Sequence, residues 1–494
     1  MISVLLFSQS PNLALADEEN VPLPIPEKFS FDTEHRSTFG GERVDFNASV
    51  SNMLLKNSDG QVYAEAVTTT YMKKGAGNQR PVTFIFNGGP GSASVWLHMG
   101  VFGPKSPTVP SDATDTGLSP YPSNTNNQTP LDMTDLVFID PIGTGYSRLV
   151  GVGKPEDVYG LAEDARTVSQ IMRKWVRENN RWNAPIFIAG ESFGTTRAAA
   201  MLPYLQGGSE PIRISGLILI SQALDYTGSS PWPDNLVAFV TYLPTMAATA
   251  WYHDKVVNKP TSLEEFIEAS RKFATNEYLP ALFKGSTISQ DEFNDVATKY
   301  AYFTGLNVDY VKRSNLRVLN GRHSKELLRD KGLTLGRLDS RYVAKEIDDI
   351  ALNARFDASA SQTGAAYSAI LHDYFRNDLG VTLERPYHVS GPEVNELWVW
   401  NRNLGGGEPV FVNTAPDLAI EMVRNPAMKI LLASGYYDNV TPFFDAEYTF
   451  NRHGIDMGRV DMTYYEGGHM MYLNGAEQVQ LIEDIRVFLR NNLK

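Results

Sequence analysis

Gly190-Glu191-Ser192-Phe193-Gly194 is the one G-x-S-x-G in the chain, standing between the apolar run Ile186-Phe-Ile-Ala189 and the alanine-rich segment Ala198-Ala-Ala-Met-Leu202. A serine at a sharp turn from strand to helix presents its hydroxyl outward, and the flanking glycines relieve the crowding. The five-residue pattern alone also describes an ordinary glycine turn; the strand before it and the helix after it favour Ser192 as a nucleophile. A serine hydroxyl needs a general base, which in turn needs a third group to hold it. Past the run Met428-Lys-Ile-Leu-Leu-Ala-Ser434 stands Gly435-Tyr-Tyr-Asp438, and past Val460-Asp-Met-Thr-Tyr-Tyr465 stands Glu466-Gly-Gly-His469. An acid and a histidine therefore follow two successive strands, in the order Ser, acid, His. His453 competes as base and Asp445 and Asp456 as acids, but they fall in a segment connecting helix to strand. Ser192, Asp438 and His469 form the candidate triad, and their chemistry is acyl transfer through a serine ester.

The tetrahedral oxyanion of such a reaction requires two backbone donors, each removing about 3 kcal/mol of barrier. Phe193 N–H, next to the nucleophile, is one candidate. The second is expected from Asn87-Gly88-Gly89-Pro90-Gly91, where glycines permit close approach to substrate. The same loop read as a phosphate cradle would need a following Lys-Ser/Thr, which is missing.

These residues require a scaffold that brings strand ends together. Val82-Thr-Phe-Ile-Phe86, Leu136-Val-Phe-Ile139, Ile186 to Ala189, Ile214 to Ile220 and Met428 to Ala433 are apolar nearly throughout. Strands covered on both faces read this way. Between them, Leu161, Ala165, Val168, Ile171, Met172, Trp175 and Val176 form one helical stripe. Val479, Ile482, Ile485 and Phe488 form another between Glu477 and Leu489. Strands alternating with helices predict a mostly parallel sheet flanked by helices, with functional groups at the carboxyl ends of the strands. Thr38 to Lys73 reads as an antiparallel start, with a turn at Ser58-Asp59-Gly60. Ser106 to Pro130, rich in Pro, Ser, Thr and Asn, reads as a long loop. The rhythm stops between Ser229 and Pro392, where Leu263 to Phe273 and Glu292 to Tyr302 are amphipathic helical segments. The expected organisation is a secretory-signal remnant over 1–16, a core over 30–228, an inserted helix-rich cap over 229–392, and the rest of the core over 393–494.

Composition narrows the chemistry. The 57 acidic residues exceed the 44 basic ones for a formal charge of −13, against the basic footprint that nucleic acids require. There is no cysteine, so disulfides, thiolate metal sites and a cysteine nucleophile are excluded. No HExxH occurs among the scattered histidines, and we expect neither metal nor cofactor. Ala14-Leu15-Ala16, before Asp17-Glu-Glu, fits a signal-peptidase site after a short apolar stretch. A periplasmic or secreted protein is expected, with a cytoplasmic one the alternative. No apolar run reaches membrane-spanning length.

Asn87-Gly-Gly-Pro-Gly-Ser92, Asp140-Pro-Ile-Gly-Thr-Gly-Tyr-Ser147, Gly190-Glu-Ser-Phe-Gly194 and Gly467-Gly-His-Met470 occur in this order. Together they resemble the serine carboxypeptidase family, to which carboxypeptidase Y belongs, over roughly Phe84 to Leu224 and Lys429 to Met470. The resemblance implies an α/β-hydrolase fold with an inserted cap and cofactor-free release of C-terminal residues from peptides, usually at acid pH. It implies Gly89 and Phe193 as oxyanion donors, and Asn87, Gly88 and Glu191 as the group that binds the substrate's terminal carboxylate. A carboxylate beside Glu191 is repelled unless one of the two holds a proton, which suits an acid optimum. Otherwise Glu191 simply satisfies a buried loop through Asn87.

Three departures stand out. Val101 occupies the place of a second glutamate in relatives, which bears on carboxylate recognition. Ser92 stands where many relatives have cysteine, and Gly194-Thr-Thr-Arg197 replaces a common Gly-Gly; these two features resemble a cysteine-free bacterial branch. The leading expectation is a carboxypeptidase acting on peptides. An acyltransferase, esterase or amidase would keep the triad and change the substrate, and a binding protein on a hydrolase scaffold would leave the triad idle.

Overall fold

The fold follows from where apolar residues leave no polar face. In the computed structural model, which describes residues 22–400 and 411–493, five of the expected apolar runs become buried strands. The antiparallel start comprises β1 (Ser30–Phe39), β2 (Glu42–Lys56) and β3 (Val62–Lys73). The parallel strands are β4 (Val82–Phe86), β5 (Asp135–Asp140), β6 (Ile186–Glu191), β7 (Ile214–Ile220), β8 (Lys429–Gly435) and β9 (Val460–Tyr465). Their order across the sheet is β1-β2-β3-β5-β4-β6-β7-β8-β9. Every pairing from β5 to β9 is parallel, while β3 meets β5 antiparallel. This is the α/β-hydrolase fold expected from the sequence.

Alternation sends side chains of one strand into two cores. Phe84 and Phe86 join a cluster with helix α1 (Leu161–Glu178) and helix α2 (Phe193–Gln206), whereas Ile85 joins the opposite cluster with the C-terminal helix (Gly475–Asn491). Between β7 and β8 a third cluster gathers Leu236–Tyr252, Leu263–Phe273 and Gln290–Thr304 around Tyr278 and Tyr300. Helix–helix packing there needs no strand, which is why the strand rhythm stops in this stretch.

Two details differ from the expectations. The first strand begins at Ser30 rather than near Thr38. It is an edge strand whose residues alternate between exposed and partly buried, so its sequence carries little apolar signal. The segment after Ser106 is not loop throughout: Lys105–Pro107 pairs antiparallel with Ser123–Thr125. Ala14-Leu15-Ala16 lies outside the described residues. No helix among the described residues is long and apolar enough to cross a membrane.

Parallel strands point their carboxyl ends the same way, so the residues following β4, β6, β7, β8 and β9 collect along one edge of the sheet. Asn87, Ser192, Ser221, Asp438 and His469 all follow these ends.

Candidate active site

Ser192 joins β6 to α2 with φ 60° and ψ −130°. A left-handed serine persists only where its surroundings hold it. Here Ser192 N donates to Ile220 O at 3.0 Å, and its carbonyl accepts from Thr195 N at 2.8 Å and Thr195 Oγ1 at 2.7 Å. A side chain on Gly190 would lie 2.5 Å from Gly194 O, so the turn closes this tightly only with glycine. The result is a tight strand-to-helix elbow with Ser192, the candidate nucleophile, partly exposed.

Asp438 is fully buried after β8. Its Oδ1 accepts from Val440 N at 2.7 Å and Thr441 N at 3.0 Å, while Oδ2 accepts from Thr441 Oγ1 at 2.7 Å. The same Oδ2 lies 2.8 Å from His469 Nδ1, which holds the imidazole with Nε2 as the remaining nitrogen. The backbone of His469 is fixed on both sides. Its N–H donates to Leu338 O at 2.6 Å, and its carbonyl accepts from Ser221 Oγ at 2.7 Å. Ser221 follows Ile220, the residue that accepts from Ser192 N, so His469 and Ser192 are anchored to adjacent residues at the end of β7. Burial pushes the His469 pKa down, but Asp438 and then Glu191 outweigh it, and the net shift is upward. No hydrogen bond joins Ser192 Oγ to His469 in this structure; such contacts commonly tighten only when substrate binds.

The competitors lie elsewhere. His453 Nε2 pairs with Asp225 at 2.9 Å, Asp445 is buried in the helix Phe443–Arg452, and Asp456 caps a short 3₁₀ turn.

The glycine loop after β4 presses directly on the elbow. A Cβ on Gly88 would stand 2.5 Å from Phe193 N and 2.7 Å from Glu191 O. Gly89, next in the chain, has φ +105°. The candidate donors Phe193 and Gly89 are thus brought together with Gly88 between them. Gly88→Ala is expected to drive this backbone apart, lowering kcat by roughly 10²–10³ as one donor moves off the oxyanion. Steady-state kinetics alongside a thermal melt would separate this loss from unfolding.

Two features anchor the loop. Asp140 Oδ1 accepts from Ser94 N at 2.9 Å and from Tyr387 OH at 3.2 Å. Burial raises the Asp140 pKa to about 6. Arg197, the residue marked as a departure in the sequence, is fully buried on α2. Its Nη1 donates to Asn87 O at 2.6 Å and its Nε to Asp164 Oδ2 at 2.6 Å.

Glu191 is buried one residue before Ser192, and its pKa is raised to about 7, chiefly by burial. His469, the Tyr472 hydroxyl and the nearby Asn87 amide counter that rise, and Asp438 adds to it. Asn87 Oδ1 accepts from Leu97 N at 3.0 Å, while its Nδ2 is buried without a hydrogen-bond partner. Glu191, Asn87 and Gly88 therefore lie together beside Ser192. Sequence reasoning missed Tyr472, whose OH donates to Glu191 Oε2 at 2.7 Å. It also missed Thr441, Ser221 and the aromatic cover formed on Phe193 by Trp398 and Trp400. The Trp-x-Trp spacing was the available signal for that cover.

Fold and site together define a serine hydrolase of the α/β-hydrolase class. Residues 69–216 match the model of the serine carboxypeptidase family. Among solved structures, Kex1(delta)p, a prohormone-processing carboxypeptidase from Saccharomyces cerevisiae, superposes with TM-score 0.55 at 13% identity, covering 91% of each chain. A thermostable carboxyl esterase from Bacillus coagulans covers 90% of this chain and 99% of its own, at 12% identity and TM-score 0.37. No curated sequence matches this chain.

Proposed function

We propose that the protein is a serine-type carboxypeptidase that releases C-terminal residues from peptides. Ser192 attacks the last peptide carbonyl while His469 takes its proton and passes it to the leaving amine. Asp438 holds the imidazole, and Phe193 and Gly89 N–H groups receive the oxyanion. Water then hydrolyses the acyl-enzyme by the same route. Asn87, Gly88 and Glu191 receive the terminal carboxylate. The helices between β7 and β8 serve as the cap that sets side-chain preference, and export to the periplasm or medium belongs to the same proposal.

The observation that carries this reading is Glu191, a buried acid beside the nucleophile with its pKa near 7. Below that pH the acid is mostly protonated and can donate to a substrate carboxylate, which ionises near 3.5. Above it Glu191 becomes an anion and repels the same group. A C-terminal amide carries no charge and is indifferent to this change. We therefore expect the ratio of kcat/KM for a blocked dipeptide acid over its amide to be high at pH 5–6. It should fall through about pH 7, by about tenfold per pH unit beyond. Protonation of His469 impairs both substrates alike and cancels in the ratio. A flat ratio, or faster turnover of the amide, would move the function to an esterase, amidase or acyltransferase. Val101, buried and apolar where relatives carry a second acid, is the feature favouring that second reading.

A further inference from the structure

Tyr472 lies three residues past His469, and its ring is buried against the backbone of Gly100. A Cβ on Gly100 would stand 2.4 Å from the Tyr472 ring, so only glycine leaves room for it there. The neighbouring Val101 is buried and contributes no polar group. The tyrosine hydroxyl donates to Glu191 Oε2 at 2.7 Å. Its partner is an ionisable acid, and the phenol itself stays protonated, because burial and the adjacent Glu191 push its pKa well above the usual value. The phenol therefore donates whenever Glu191 is an anion.

We propose that Tyr472 is a positioning residue for substrate: its hydroxyl fixes one oxygen of Glu191, leaving the other to Asn87 and to the terminal carboxylate of the bound peptide. The proposal rests on the carboxypeptidase reading and adds to it a residue that sets how, and at what pH, a lone acid can accept a second carboxylate. The ionisable groups around Glu191 are His469 and Tyr472 from the loop after β9, Asp438 from the loop after β8, and Tyr367 from the helix Ala358–Asp373. His469 favours the Glu191 anion and Asp438 opposes it, and both remain when Tyr472 is changed. A hydrogen bond donated to a carboxylate stabilises its charged form, so removing the hydroxyl makes Glu191 hold its proton to higher pH.

The test is Tyr472→Phe, which deletes only the hydroxyl. Infrared titration of the protonated carboxyl band, assigned by its loss in Glu191→Gln, is expected to show a midpoint about one pH unit above that of the unaltered protein. The acid-to-amide ratio of kcat/KM should shift by the same amount, with KM for the acid rising more than kcat falls. An unmoved infrared midpoint would overturn the proposal, since a purely structural tyrosine would leave it in place. If the midpoint moves while the unaltered protein releases no amino acid, the hold on Glu191 stands and the carboxypeptidase reading falls. Gly100→Ala, which pushes the ring away without removing its hydroxyl, should raise the midpoint in the same direction and serves if Tyr472→Phe does not fold.

Discussion

Ser192→Ala is expected to lower kcat by roughly 10⁴–10⁶-fold while leaving thermal unfolding unchanged. The loss is large because the hydroxyl is the atom that would form the acyl-enzyme, and no neighbouring side chain can replace it. What survives comes from the oxyanion donors and from binding alone, as with triads whose nucleophile is removed. Stability should hold for a separate reason. The bonds that fix residue 192 in its left-handed conformation use its own main-chain atoms: its N–H donates to Ile220 O, and its carbonyl accepts from Thr195 N and Oγ1. Alanine keeps them all. The Ser192 Oγ donates to no described residue, so its removal leaves no buried partner unsatisfied. A fluorophosphonate that labels the unaltered protein and not Ser192→Ala, with superimposable melting curves, would be the expected pair of results. Labelling that persists at full rate would exclude Ser192 as the nucleophile, whereas an unaltered protein inert to the reagent would favour the idle-triad reading. Removing His469 as well should cost little more, because the two act as one unit.

What could be read from the sequence follows the physics of each element. Parallel strands such as Val82–Phe86 and Ile214–Ile220 are buried on both faces, so their apolar runs mark their own limits. The edge strand Ser30–Phe39 has one wet side and a charged alternation, and its first half left no trace. The elbow and the Asp438–His469 pair were legible because strand ends define the slots, and order then fills them. Contacts between distant segments were not. Tyr472 meets Glu191 only because Gly100 has no side chain, a condition set by three separate segments of the chain. Arg197 was visible as an odd residue after the elbow, but its partner Asp164 lies 33 positions earlier on another helix. Nothing in either local pattern joins them.

That pair carries the second large effect. Asp164→Ala is expected to destabilise the protein by about 3–5 kcal/mol, the cost of leaving one charge of a buried pair uncompensated. Arg197 has no exposed surface through which to regain water. Its guanidinium gives Nε and Nη2 to Asp164, at 2.6 and 3.2 Å, and Nη1 to Asn87 O, while lying 5.3 Å from the Phe86 ring and 5.1 Å from that of Phe193. A planar fork used on three sides cannot turn toward a new acceptor without releasing Asn87. The loss should therefore reach catalysis, since Asn87 opens the loop that carries Gly89, and Phe193 is the other candidate donor. A fall in kcat of about 10–100-fold at temperatures where the variant is still folded would register that loosening. Denaturant titration would read the stability term as a lower midpoint at unchanged slope. The double variant Asp164→Leu/Arg197→Met separates the two effects. With both charges gone and volume kept, much of the stability should return, since apolar replacements often match a buried pair. Activity should not return with it, because no donor then holds the Asn87 carbonyl. Recovery of both together would mean that the pair only fills space, and a single substitution costing under about 1 kcal/mol would mean that it is better hydrated than its burial allows.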